Sequence, residues 1–193
     1  MLNVAVLAPG YGGGPDQRIL KAMAVRLSAL GILSQGVAFS TQGRRPSRGY
    51  LSEMGDVRGV RDALLAQAGG INLSYGAASE IRLGLVGRSF GGRICTFLAA
   101  EEPPDALAVL GYPIAPPGRP RPGDEAALLS LRCPTLIVQG DRDELGPMEA
   151  LTGIAAQNPH IKVHSIPGVG HSFGKQEKAA IEAVALWLGE VLG

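Results

Sequence analysis

The segment Gly87-Arg88-Ser89-Phe90-Gly91-Gly92 stands between an apolar run, Ile81–Val86, and a stretch of helical character, Arg93–Ala100. A serine on a sharp strand-to-helix turn is pushed out above the edge of a sheet. Glycines on either side remove the Cβ atoms that would collide across so tight a turn. The helix that follows aims its N-terminus at the hydroxyl, where free N–H groups favour developing negative charge. Residues of these types in this order suit nucleophilic attack on a carbonyl. The plainer reading, a Gly-Ser turn with no chemical role, leaves the strand before it and the helix after it unexplained.

A serine hydroxyl is a poor nucleophile near neutral pH and needs a general base within hydrogen-bond reach. The chain has three histidines. His164 falls inside the run Lys162–Ile166 and His160 follows Asn158-Pro159 in a turn, so a strand position and a surface position account for them. His171 lies in Pro167-Gly168-Val169-Gly170-His171-Ser172-Phe173, beyond the carboxyl end of that run, from which an imidazole can reach back to Ser89. A third group must orient the imidazole and stabilise its charged form. The run Pro134–Gln139 ends in Gly140-Asp141-Arg142-Asp143-Glu144. Asp143 is the first choice, because a residue slightly past a strand end projects back over the sheet; Asp141, the natural turn-former, is the alternative.

Acyl transfer also requires two donors aimed at the oxygen that becomes negative. The backbone N–H of Phe90, next after the serine, is one. The other is expected in the loop after the first apolar run, Pro9-Gly10-Tyr11-Gly12-Gly13-Gly14, with Tyr11 preferred and Gly12 the alternative. The same loop invites comparison with a G-x-G-x-x-G dinucleotide fingerprint. Gly10 and Gly12 fit, but Pro15 stands at the third glycine, and no acidic residue follows the second run to hold a ribose. Nucleotide binding is not expected.

The elements that must carry these residues emerge from periodicity. Candidate strands are Asn3–Ala8, Leu33–Phe39, Ile81–Val86, Ala106–Leu110, Pro134–Gln139 and Lys162–Ile166; candidate helices are Gln17–Leu30, Leu51–Ala68, Gly92–Ala100, Asp124–Leu131, Pro147–Ala156 and Lys175–Leu192. In the last, Ile181, Val184, Ala185, Leu188, Val191 and Leu192 form one apolar stripe at i, i+3, i+4 spacing. Runs that are apolar almost throughout fit a sheet covered by helices on both faces. Strands alternating with helices require an α/β architecture, a mostly parallel central sheet with right-handed crossovers, and place function at the carboxyl ends of the strands. With no break in composition, residues 1–193 read as one domain.

Composition removes other classes. The 193 residues carry a net charge of +1, with 46% hydrophobic and 18% charged residues, which gives no general field for nucleic acid or an anionic membrane. The 28 glycines punctuate the ends of apolar runs and so do not signal disorder. Two cysteines, Cys95 and Cys133, make neither a disulfide framework nor a metal cluster, and no metal or organic cofactor is expected. The run Leu2–Ala8 has no basic residue ahead of it and stops at Pro9-Gly10, so a cytoplasmic location is expected.

With these residues in hand, the chain resembles the α/β-hydrolase superfamily, in which the nucleophile, the acid and the base follow in the order Ser89, Asp143, His171. It is similar in particular to the small, lidless dienelactone-hydrolase-like branch and to the group that includes testis-expressed protein 30 and the third regulatory subunit of the NSL acetyltransferase complex. The stretches that carry this are Gly43-Arg44-Arg45-Pro46, Gly87-Arg88-Ser89-Phe90-Gly91-Gly92-Arg93, Leu110-Gly111-Tyr112-Pro113-Ile114-Ala115-Pro116-Pro117-Gly118, and Pro134-Thr135-Leu136-Ile137-Val138-Gln139-Gly140-Asp141-Arg142-Asp143. The resemblance implies a hydrolase fold with Asp143 as the acid. The His-Gly that often precedes the oxyanion loop is replaced by Pro9-Gly10.

Between Leu110 and Pro134 there is room only for a proline-rich loop and one short helix, so no large lid is expected. An open site suits small esters and thioesters. Tyr112, Pro113 and Ile114, in the loop beside the site, read either as an apolar substrate wall or as simple loop packing. Arg44, Arg45 and Arg48 read either as a solvated loop or as a cluster that recognises an anion. The expected function is a serine esterase acting on a small-molecule substrate, with a homodimer possible. The alternatives are a non-catalytic interaction protein on the same fold and a cofactor-free perhydrolase or haloperoxidase, which uses the same three side chains.

Overall fold

A computed structural model describes residues 1–74 and 80–193. Six strands, β1 (Leu2–Ala8), β2 (Ile32–Gly36), β3 (Ile81–Arg88), β4 (Ala106–Leu110), β5 (Thr135–Gly140) and β6 (Ile161–Ile166), form one sheet in the order β2-β1-β3-β4-β5-β6. Every pairing is parallel. The helices are α1 (Arg18–Ser28), α2 (Leu51–Ser74), α3 (Phe90–Glu101), α4 (Pro122–Leu129), α5 (Met148–Ala155) and α6 (Glu177–Leu192). Reversal of strand order between β2 and β3 puts the first crossover on one side of β1 and the next on the other, which covers both faces.

The two faces follow the alternation of β1. Val4, Val6 and Ala8 pack under α2 and α3, in a core that continues to Leu128 of α4 and Ile154 of α5. Ala5 and Leu7 point the other way, against Leu20 and Met23 of α1 and Val184 and Leu188 of α6. The α6 stripe read from the sequence is that buried face, apart from half-buried Val191. Burial on both sides takes the apolar side chains of the paired strands out of water on each face of the sheet.

Most elements shift by a residue or more from their expected bounds, and three of the shifts have a clear cause. β2 stops at Gly36, where its ladder with β1 ends, and Val37 donates one last bond to the Leu7 carbonyl (2.8 Å). The chain then turns so that Phe39 meets the Phe90 ring edge-on at 5.6 Å. α2 runs on to Ser74 through Gly69 and Gly70; a glycine costs a helix about 1 kcal/mol and so is a weak stop. α3 begins at Phe90, directly after the serine, because β3 extends to Arg88. Among the described residues, no helix is long and apolar enough to cross a membrane.

Candidate active site

Ser89 is a non-glycine residue in the left-handed region, with φ 51° and ψ −110°, a conformation that costs roughly 1–3 kcal/mol and persists only where its surroundings impose it. The neighbouring glycines show why. A Cβ on Gly87 would lie 2.4 Å from the Gly92 Cα, and one on Gly91 would lie 2.3 Å from the Ala8 carbonyl oxygen. The Ser89 N–H donates to Leu110 of β4 at 3.0 Å and ties the turn to the next strand. The hydroxyl therefore stands at the carboxyl end of β3, over the N-terminus of α3.

His171 reaches it from the loop after β6, with Nε2 2.7 Å from Ser89 Oγ. On the other side of the ring, Nδ1 is 2.7 Å from Asp143 Oδ2. An ionised carboxylate can only accept, so Nδ1 carries the proton and Nε2 presents its lone pair to the serine O–H. Asp143, 3% exposed, also accepts from Gln139 Nε2 (2.7 Å) and from the Leu145 N–H (2.9 Å). Asp141 is turned elsewhere: it is exposed, and its Oδ1 accepts from the Gly168 N–H at 2.8 Å. It closes the turn, and Asp143 meets the imidazole. A Cβ on Gly140 would lie 2.4 Å from the Val169 carbonyl, so glycine there lets the two loops approach.

Arg88, one residue before the serine, is a participant that sequence reading passed over. It is 9% exposed. Its Nη2 donates to the His171 carbonyl (2.7 Å), and its Nη1 donates to the Leu110 carbonyl (3.1 Å) and lies 3.2 Å from His171 Nε2. One guanidinium thus ties the main chain of His171 to the end of β4, with Nη1 beside the ring nitrogen that faces Ser89. Burial lowers its pKa, while Asp143 and Glu177 oppose that shift. A signal was present in the chain, since a cation ending an apolar strand must find acceptors inside the fold.

A cavity of about 430 Å³ opens beside Ser89. Tyr11 and Phe90 line it, their rings edge-to-face with centroids 5.8 Å apart. Among the described residues, no group accepts a hydrogen bond from the backbone N–H of either. Pro113, Pro116 and Leu145 supply an apolar wall, and Arg93, Arg119 and Arg121 stand at the cavity as well.

Tyr112 and Ile114 are not that wall. Both are buried in the core and neither lines the cavity. The Tyr112 N–H donates to Gln139 Oε1 (2.7 Å) and its hydroxyl to Asp124 Oδ1 (3.3 Å), which draws the ring inward and leaves the intervening Pro113 facing the site. Asp124 is itself buried against Arg93, which donates from Nε to Oδ1 and from Nη2 to Oδ2 (2.8 Å). Arg44, Arg45 and Arg48 are exposed and do not line this cavity, though Arg44 lines a small neighbouring one with Tyr11, Pro46 and Phe90. Their loop is held instead by buried Glu53, which accepts from Thr41 Oγ1 and from the N–H and hydroxyl of Ser47. Cys95 is fully buried and its thiol pKa is pushed up to about 12, so it stays a packing residue.

No curated protein sequence matches the chain, so the finer likeness to the testis-expressed and NSL-complex proteins rests on the quoted motifs alone. Among solved structures, it is similar to Est1E from Butyrivibrio proteoclasticus, with a TM-score of 0.70 and 19% identity over 97% of this chain and 87% of that one. A hydrolase of the alpha/beta superfamily from Xanthomonas campestris pv. campestris, named as putative, gives 0.65 and 26% over 97% and 98%. A serine hydrolase described as lacking a lid, also from Xanthomonas campestris, gives 0.66 and 21% over 95% and 82%. Residues 2–187 match the family described as the alpha/beta hydrolase domain. Sheet order, elbow and sequence match agree, and the chain belongs to the alpha/beta hydrolase family.

Proposed function

We propose that the protein is a serine hydrolase of small carboxylic esters or thioesters. The observation that carries this is the unbroken line of short contacts from Ser89 Oγ through both nitrogens of His171 to the buried Asp143 carboxylate. In the reaction, Ser89 Oγ attacks the carbonyl carbon as its proton passes to His171 Nε2. Asp143 holds the ring in the tautomer that can accept that proton and stabilises the imidazolium. The N–H groups of Phe90 and Tyr11 receive the oxygen that becomes negative, and the α3 N-terminus adds its dipole. The imidazolium then protonates the departing alcohol or thiol, leaving an acyl-serine. Water, activated by the same Nε2, attacks the acyl carbon and restores Ser89 with release of the acid. The short Leu110–Pro134 segment and the open cavity support a small substrate reached without a lid.

The test is intact-mass analysis after treatment with a fluorophosphonate, beside Ser89→Ala and His171→Ala. A single adduct on the parent that is absent from both variants supports the reading. An unlabelled, folded parent sinks it.

A further inference from the structure

The cavity beside Ser89 carries more positive charge than the surrounding protein uses. Its charged lining consists of Arg93, Arg119 and Arg121, with no acidic side chain. The nearby carboxylate, Asp124, is buried and committed with both oxygens to Arg93. Arg93 is further satisfied by the Tyr50 hydroxyl (2.9 Å) and lies 4.9 Å above the Tyr50 ring. Neither Arg119 nor Arg121 forms an ion pair among the described residues. Arg121 Nη1 is shut away from solvent and has no hydrogen-bond partner. A buried donor without an acceptor is uncommon and costly in a folded protein, and a charged one more so.

The backbone that presents these two arginines is stiff. They alternate with prolines in Pro116-Pro117-Gly118-Arg119-Pro120-Arg121-Pro122, and each proline fixes its own φ. The Arg119 N–H donates back to Pro116 (3.0 Å), and the Arg121 carbonyl accepts from Asp124 and Glu125 at the start of α4 (3.0 and 3.2 Å). Ordering the guanidiniums on a ligand therefore costs little backbone entropy. Burial, and after it the neighbouring Arg93, lower the Arg121 pKa against an opposing pull from Asp124.

We propose that Arg119 and Arg121 form a subsite for a carboxylate on the substrate, so that the preferred ester or thioester is the half-ester of a small dicarboxylic acid. The inference rests on the serine-hydrolase reading of Ser89. The planar fork of a guanidinium matches a carboxylate in two parallel hydrogen bonds. An anion at that end of the cavity would accept from the remaining donors of Arg119 and Arg121, for which the described residues supply no acceptor, and the distal charge would orient the acyl chain with its ester carbonyl toward Ser89.

The experiment separates binding from turnover. Calorimetry on Ser89→Ala compares monomethyl glutarate with methyl pentanoate, which are matched in acyl length and differ in the terminal carboxylate. The expected result is a Kd at least tenfold lower for monomethyl glutarate, with the preference reduced toward one by adding Arg121→Met or Arg119→Met. Kinetics on the parent follow the same ratio with umbelliferyl hemiglutarate and umbelliferyl pentanoate. Equal binding of the two esters, or a preference that survives both substitutions, overturns the subsite. A phosphonate-ended analogue that binds more tightly than the carboxylate overturns the assignment to a carboxylate. Fluorophosphonate labelling distinguishes the two readings. A labelled parent without carboxylate preference defeats this inference alone, and a parent that prefers monomethyl glutarate but does not label defeats the serine-hydrolase reading, leaving the two arginines as a carboxylate-binding site without turnover.

Discussion

Replacing Asp143 with asparagine changes one oxygen into an NH₂ and leaves the shape unaltered, so the effect is set by the groups around it. Oδ1 accepts from the Leu145 N–H, while Oδ2 accepts from both Gln139 Nε2 and His171 Nδ1. All three partners are donors. If the asparagine keeps its carbonyl oxygen on Leu145, its NH₂ faces Gln139 and His171. Nδ1 must then become the acceptor, the ring proton moves to Nε2, and Nε2 has no lone pair left for the Ser89 hydroxyl. If the amide flips, its NH₂ opposes the Leu145 N–H in a buried site. Gln139 cannot turn to relieve the first arrangement, because its Oε1 holds the Tyr112 N–H and its Nε2 also serves the Gly146 carbonyl. The first arrangement stops catalysis and the second costs stability. By analogy with a serine-protease triad locked in the wrong tautomer, kcat is expected to fall by about four orders of magnitude. One unsatisfied buried donor destabilises by roughly 1–3 kcal/mol, or about 2–12 °C in Tm for a chain of this size. The assay is the rate of fluorophosphonate labelling and of short-ester hydrolysis on protein shown to be folded by circular dichroism. A folded Asp143→Asn retaining more than about 1% of the parental rate would refute the claim that this carboxylate sets the tautomer.

Three further outcomes are expected. Arg88→Ala removes the clamp on the His171 main chain and should lower kcat by roughly tenfold or more, and Arg88→Lys should not restore it, because one ammonium cannot span the carbonyls of both His171 and Leu110; full activity in either variant contradicts the positioning role. Asp124→Ala leaves the buried Arg93 guanidinium without its carboxylate and should cost about 3–5 kcal/mol in a urea melt, whereas Glu177→Ala, which breaks the pair with the mostly exposed Arg18 (82%), should cost under about 1 kcal/mol. Burial would raise the Glu53 pKa, but hydrogen bonds from Ser47 and Thr41 outweigh it and hold the value below 4.5. Its contribution to stability is therefore complete above about pH 4.5 and lost as the pH falls through the lower folded value, so the urea midpoint of the parent should drop on acidification by more than that of Glu53→Gln.

Local pattern carried a large part of the reading. Alternation in β1, the α6 stripe and the glycines around Ser89 act over a few residues, because pleat, helical turn and steric clash are short-range. They made the parallel sheet and the turn at Ser89 legible from the chain itself. Contacts across the fold were a different matter. Ser89 and His171 are 82 positions apart, and the choice between Asp141 and Asp143 depended on which carboxylate the Gly140–Val169 contact brings to the ring. Tyr112 looked like a substrate wall because it lies in a loop at the right edge of the sheet, yet the buried Asp124 draws its hydroxyl inward and leaves Pro113 facing the cavity. The arginines divided in the same way: Arg44, Arg45 and Arg48 cluster in the sequence but are exposed and outside the lining of the cavity beside Ser89, while Arg88, Arg93, Arg119 and Arg121 are scattered in the chain and gather at the site. A charge takes its role from the partner that desolvation forces upon it, and the packing of distant elements decides that partner.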